Sequence, residues 1–95
     1  SRLLRLVFRS ALEKNAENAA GDAAYLLQQI APKGVDILGP AECPLEKIAA
    51  NYRHQVILRA KSISPLQKLA KSLLTDYFQP KDVYIEIDVD PVNLL

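Results

Sequence analysis

Between residues 51 and 75 the chain carries Arg53, Arg59, Lys61, Lys68 and Lys71 and no acid, although the formal net charge is only +1. A basic arc of this kind can neutralise phosphates without reading bases. The same arc also fits a merely solvated face. Tyr52, beside Arg53, offers a ring on which a base could stack, while its phase in the local pattern fits a core position instead.

Other residue types point to chemistry less directly. Cys43 and His54 are the lone cysteine and the lone histidine. Thiolate catalysis would need His54 brought against Cys43 from another strand, and such isolated residues in a small domain usually pack or face solvent. Glu86, Asp88 and Asp90 alternate, so their carboxylates share one strand face and could hold a hard cation. Arg5 and Arg9 on an adjacent strand would neutralise them instead, and Asp90-Pro91 also fits the start of a turn. There is no glycine-rich phosphate loop with a following lysine, no dinucleotide fingerprint and no Gly-x-Ser-x-Gly elbow. No catalytic residue and no metal ligand is therefore assigned, and no cofactor is expected for this chain.

The elements that must position these residues follow from periodicity. Leu3 to Phe8 reads as a strand with Leu4, Leu6 and Phe8 inward. From about Ala11 to Ala31, Ala16, Ala19, Ala20, Ala23, Ala24, Leu27 and Ile30 recur at helical spacing, and Gly21-Asp22 marks a point where the helix could break and restart. Val35 to Leu38 predicts a short strand stopped by Gly39-Pro40, followed by a connection through Pro40, Glu42 and Pro44. Tyr52 to Ala60 alternates as the longest strand, with Arg53 and Arg59 outward. Ser64-Pro65-Leu66-Gln67 has the form of a capping box, which predicts a helix beginning at Ser64 and puts Gln67 on its backbone. Leu66, Leu69, Ala70, Leu73, Leu74, Tyr77 and Phe78 then form one apolar stripe. Gln79-Pro80-Lys81 reads as a turn before a strand over Asp82 to Val89, with Val83, Ile85, Ile87 and Val89 inward.

The order β-α-β-β-α-β implies a single α+β domain over residues 1–95 with a ferredoxin-like fold, in which a four-stranded antiparallel sheet carries two helices on one face. In that topology the fourth strand lies beside the first, next to Arg5 and Arg9. With 95 residues, 49% hydrophobic and 24% charged, the chain can bury one core but is too short for a nucleotide-driven motor. One cysteine excludes an internal disulfide and fits a reducing, cytoplasmic setting. No apolar run approaches the roughly 20 residues of a membrane span.

Three segments carry a resemblance. Val35-Asp36-Ile37-Leu38-Gly39-Pro40-Ala41-Glu42-Cys43-Pro44-Leu45, then Asn51-Tyr52-Arg53-His54-Gln55-Val56-Ile57-Leu58-Arg59, then Asp88-Val89-Asp90-Pro91 are similar in order and spacing to the C-terminal domain of PriA helicases, also called primosomal protein N-prime. The resemblance covers nearly the whole chain. It implies a C-terminal docking domain of an ATP-dependent 3′→5′ DNA helicase that acts in primosome assembly and replication restart, with ATP, magnesium and zinc bound by upstream parts. It also implies branched or single-stranded DNA, primosome proteins, single-stranded DNA-binding protein and the helicase core as partners. Gln67 matches a polar, partner-binding position at the start of the second helix. Ile63 stands where relatives often have a basic residue, and His54 where they commonly have tryptophan or tyrosine.

Two other functions fit the fold. A free-standing RNA-binding protein of ribosomal type would use the same sheet and basic residues. A small-ligand regulatory module would need glycine-rich ligand loops, which the sequence lacks. A start without methionine is what an excised domain would have, which favours the helicase reading. The absent phosphate loop leads to a first expectation: the purified chain hydrolyses no ATP, with or without DNA, in a phosphate-release assay. DNA-stimulated turnover by the chain alone would overturn it.

Overall fold

The computed structural model describes residues 1–78 and 80–91. Strands β1 (Arg2–Ser10), β2 (Asp36–Ile48), β3 (Asn51–Ala60) and β4 (Tyr84–Val89) form one antiparallel sheet in the order β2-β3-β1-β4. Helix α1 (Glu13–Ile30) and helix α2 (Ile63–Ser72), which runs on into a single π turn at Leu73–Tyr77, pack on one face. The ferredoxin-like order expected from the sequence is the observed one, with β1 between β3 and β4.

Alternation along β1 and β3 builds the core. Leu4, Leu6 and Phe8 meet Val56, Leu58 and Ala60 on the helix face, under Ala20, Ala23 and Leu27 of α1 and Leu66 and Leu73 at α2. The small residues of α1 let its backbone approach the sheet closely, so α1 stays continuous across Gly21 rather than breaking there. Packing on both flanks outweighs the propensity cost of one glycine. Phe78 follows the π turn and meets Phe8 edge to face, with centroids 5.8 Å apart at 87°. The widened turn puts Phe78 rather than Tyr77 on the core, and Tyr77 is exposed.

Strand β4 begins at Tyr84 rather than Asp82, because Asp82 takes φ 58° in the turn before it, and two further boundaries differ from the sequence pattern. Helix α2 begins at Ile63 after Ser62, two residues earlier than the capping box suggested, and Ser64 caps nothing. Proline lacks an N–H that no position in a first helical turn needs, so Pro65 is tolerated inside that turn and does not mark its first residue. Gln67 is consequently exposed and not engaged in a capping box. Strand β2 does not stop at Gly39-Pro40 but continues to Ile48 as the sheet edge, where Pro40 and Pro44 remove no ladder bond that the sheet interior needs. Its pairing shifts register between Leu38 and Ala41 and again between Glu42 and Lys47. Gly39 sits at the first shift with φ +110°, and a Cβ there would lie 3.0 Å from the Gln55 carbonyl oxygen. Ala49 and Ala50, at φ 50° and 64°, close a tight hairpin into β3. Gln79, read as part of a turn, lies outside the described residues.

Nothing lies within 4 Å of a Cβ built on Gly21. Gly21→Ala is therefore expected to stabilise the fold by roughly 0.5–1 kcal/mol in chemical denaturation, with Ser64→Ala, a surface change, moving it by less than about 0.5 kcal/mol. A Gly21→Ala protein no more stable than the parent would mean that α1 is not continuous.

Candidate nucleic-acid and partner interface

The face of the sheet away from the helices is occupied by charge pairs rather than left open. Arg5, 4% exposed, lies opposite Asp88 in the β1–β4 register and donates to its carboxylate at 2.8 and 3.3 Å, with Gln55 Oε1 at 3.4 Å. Arg9 lies 3.7 Å from Glu86 and 4.7 Å over the Tyr84 ring. At the end of the sheet, out of phase with Arg5 and Arg9, Arg2 pairs with Asp90 just beyond β4, whose other oxygen accepts the Leu3 N–H at 3.0 Å. The row Glu86, Asp88 and Asp90 thus serves the arginines of β1, as cross-strand neutralisation predicts. Asp90 ties back to the first strand as well as ending the last.

The basic arc divides. Arg53 shares the sheet face of Arg59 but is buried, because β2 bulges over it between Glu42 and Lys47. Its guanidinium donates to the Leu45 carbonyl at 2.8 Å, so this residue holds the bulge in place and is not a surface cation. The expected outward position failed because alternation gives a side chain's face and not what another segment lays over it. Arg59 is exposed and pairs with Asp36 at 2.9 Å. Lys61, Lys68 and Lys71 are exposed and have no ion-pair partner among the described residues. The Tyr52 ring lies under Lys47 Nζ at 4.8 Å, which leaves that face of it occupied.

Beside α2 lies a groove of about 380 Å³ lined by Leu4, Gln67, Ala70, Lys71, Leu74, Thr75, Ile87 and Val89. It exists because α2 covers β1 and leaves the inward phase of β4 bare: Ile87 and Val89, read as core, are 47% and 45% exposed. A polar rim of Gln67 and Lys71 over an apolar floor is the make-up of a binding groove. A second depression of about 410 Å³ lies between Tyr25 and Tyr77, both exposed, beside Asp22 and Phe78. Sequence reasoning missed it because Tyr77 sits on the apolar stripe, and only the π turn rotates it outward.

Cys43 and His54 lie on opposite faces of the sheet and form no catalytic pair. Cys43, 2% exposed, packs on the arginine side, and burial pushes its thiol up against the attraction of Arg53 and Arg5. His54 faces α1, with Nε2 3.8 Å from Glu13. No helix among the described residues is long and apolar enough to cross a membrane.

Fold and surface define a ferredoxin-like α+β domain with one charge-neutralised sheet face and, on the other side, a groove next to unpaired lysines. The family model described as the primosomal protein N C-terminal domain matches residues 1–92, and the chain belongs to that family. It is 47% identical to the replication restart protein PriA of Treponema pallidum over 94 residues, 99% of this chain and 14% of that protein. It is 32% identical to that of Borreliella burgdorferi over its full length, and 35% identical to that of Synechocystis over 86% of it. The chain spans 14%, 14% and 10% of the length of these relatives.

Hydrogen bonds from Arg2 and the Leu3 backbone hold the Asp90 carboxyl below its ordinary pKa. A depressed carboxylate stabilises the fold above the pKa it has when unfolded, about 3.9, and that contribution is lost as the pH falls through the lower folded value. Unfolding midpoints should therefore fall with pH below about 4, and less steeply for Asp90→Asn. Equal slopes for both proteins would mean that the pair contributes nothing.

Proposed function

We propose that this chain is the C-terminal DNA-docking and partner-binding domain of a cytoplasmic PriA-type, ATP-dependent 3′→5′ DNA helicase acting in primosome assembly and replication restart. ATP, magnesium and zinc belong to the rest of such a protein. Family membership supports the assignment over a ribosomal-type RNA-binding protein. The observation that carries the docking role is the juxtaposition at α2 of unpaired Lys68 and Lys71 with the apolar groove rimmed by Gln67.

The phosphate contacts fall to Lys61, Lys68 and Lys71, with Arg59 joining by exchanging Asp36 for a phosphate. An exposed pair such as Arg59–Asp36 is worth little, so the exchange costs little. Arg53 contributes by holding the β2 bulge. Counterion release makes this binding sequence-independent and salt-sensitive. The groove suits the acidic tail of single-stranded DNA-binding protein: Lys71 meets its carboxylates, Gln67 its backbone, and Leu4, Leu74, Ile87 and Val89 bury what apolar surface it brings. Ile63, in place of a basic residue, leaves Lys71 as the cation at this rim.

Titration of fluorescent forked and single-stranded DNA at several salt concentrations tests the DNA surface. Lys61→Ala, Lys68→Ala, Lys71→Ala together should weaken binding and reduce the salt slope by about one for every phosphate that is no longer neutralised. A fluorescent peptide of the acidic tail of single-stranded DNA-binding protein should bind the parent chain and not Gln67→Ala, Lys71→Glu. If the lysine variant keeps affinity and slope, α2 is not the DNA surface. If the peptide binds both chains alike, the groove is not its site.

A further inference from the structure

Three residues far apart in sequence converge where β2 leaves its regular pairing. Glu13 is the first residue of α1, Glu42 is the last residue of β2 in register before the second bulge, and His54 lies directly opposite Glu42 on β3. The His54 ring nitrogen and one carboxylate oxygen from each glutamate all lie within 4.8 Å of one another. The His54 side chain is 7% exposed, and its polar contact among the described residues is Glu13 Oε2 at 3.8 Å, beyond hydrogen-bonding length. Nε2 faces Glu13 at the open end of this contact, and a carboxylate oxygen of Glu42 completes the triangle.

The carboxylates are crowded as well. Glu42 shares a hydrogen bond with Glu46 across the mouth of the bulge, and that contact, together with the charges of Glu46 and Glu13, raises its pKa; His54 acts in the opposite sense. Anionic side chains gather in this way at the cost of mutual repulsion, which a cation relieves. One imidazole nitrogen with carboxylate oxygens is a donor set that zinc and its neighbours accept at about 2.0–2.2 Å, and protein ligands in that number leave a position for water. Glu13 and Glu42 are exposed and their side chains can close on an ion, while His54 is fixed from below by the sheet.

We propose that Glu13, Glu42 and His54 form a site for a divalent transition metal of the zinc class, which ties the start of α1 to the edge strand where β2 bulges. The site lies across the sheet from Cys43, and it involves none of the lysines or groove residues assigned to DNA and peptide. Metal bound here joins three segments that otherwise meet through an open carboxylate cluster, and it stabilises the fold by binding the native state alone.

Zinc chloride titrated calorimetrically into the untagged, chelator-treated chain should bind at one site and raise the thermal midpoint. Glu13→Gln and Glu42→Gln each should weaken binding by about tenfold or more, since even residues supporting a ligand contribute that much. Cys43→Ser should leave it unchanged. Removing one crowded charge should make metal-free Glu42→Gln at least as stable as the parent at neutral pH, so its loss of zinc cannot be ascribed to misfolding. The His54 ring protons should shift on NMR titration in the parent chain. Absence of one-site binding, unchanged zinc affinity in the Glu13→Gln, Glu42→Gln double variant, or loss of binding in Cys43→Ser would each overturn the proposal.

Discussion

The register between β1 and β4 is the constraint on which the rest of the domain depends. Arg5 and Arg9 share one face of β1 and meet Asp88 and Glu86 of β4, and Arg2 meets Asp90 just beyond that strand. A slip of one residue would turn Arg5 into the core and Leu4 and Leu6 out of it, since strand side chains alternate. The apolar pattern of β1 and the charge pattern across β1 and β4 thus select the same alignment. That alignment places β1 in the centre, α1 and α2 on its apolar side, and the last strand beside the first. Arg5 carries the greatest demand, because a guanidinium with so little exposure needs both Asp88 and Gln55 in position.

Satisfying those arginines internally decides where external charge can act. Arg5 is out of reach of phosphates and holds Asp88, whereas Arg2 and Arg9 stand partly exposed beside acids that offset their charge. The lysines at and before α2 have no such obligation. A net charge near zero is therefore compatible with a local basic surface, because the balancing acids are engaged elsewhere. Strand β2 uses Arg53 in the same internal way: its carbonyl contact with Leu45 converts a cation that alternation would expose into the anchor of a bulge.

Much of this was legible in the sequence. The six elements, their order and the arginine–carboxylate pairing follow from alternation and helical spacing, because each depends on side chains a few residues apart on one face. Other features did not follow, each for a physical reason. Continuity of α1 across Gly21 is decided by alanine packing on a sheet that local propensity does not contain. The start of α2 was misplaced because proline is acceptable throughout a first turn. Extension of β2 through Gly39-Pro40 depends on its lying at an edge, a property of topology. The burial of Arg53 depends on a segment eight residues away folding over it.

The bare inner side of β4 shows how the same topology makes a binding surface out of residues that read as core. In Ile85, Ile87 and Val89 the sequence has the period of a buried strand, yet α2 is short and its long side chains lie over β1 and β3. A second helix long enough to reach β4 would bury Ile87 and Val89 and erase the groove. Ending α2 in a π turn instead swings the chain back, seats Phe78 on Phe8 and leaves β4 uncovered. Apolar side chains that remain exposed on a strand otherwise fixed by two ion pairs, with a third just past its end, form a floor that a partner can cover without ordering the domain first. The helix that fails to cover this floor is also the helix that carries Lys68 and Lys71, so an apolar contact and an electrostatic one are presented along a single edge.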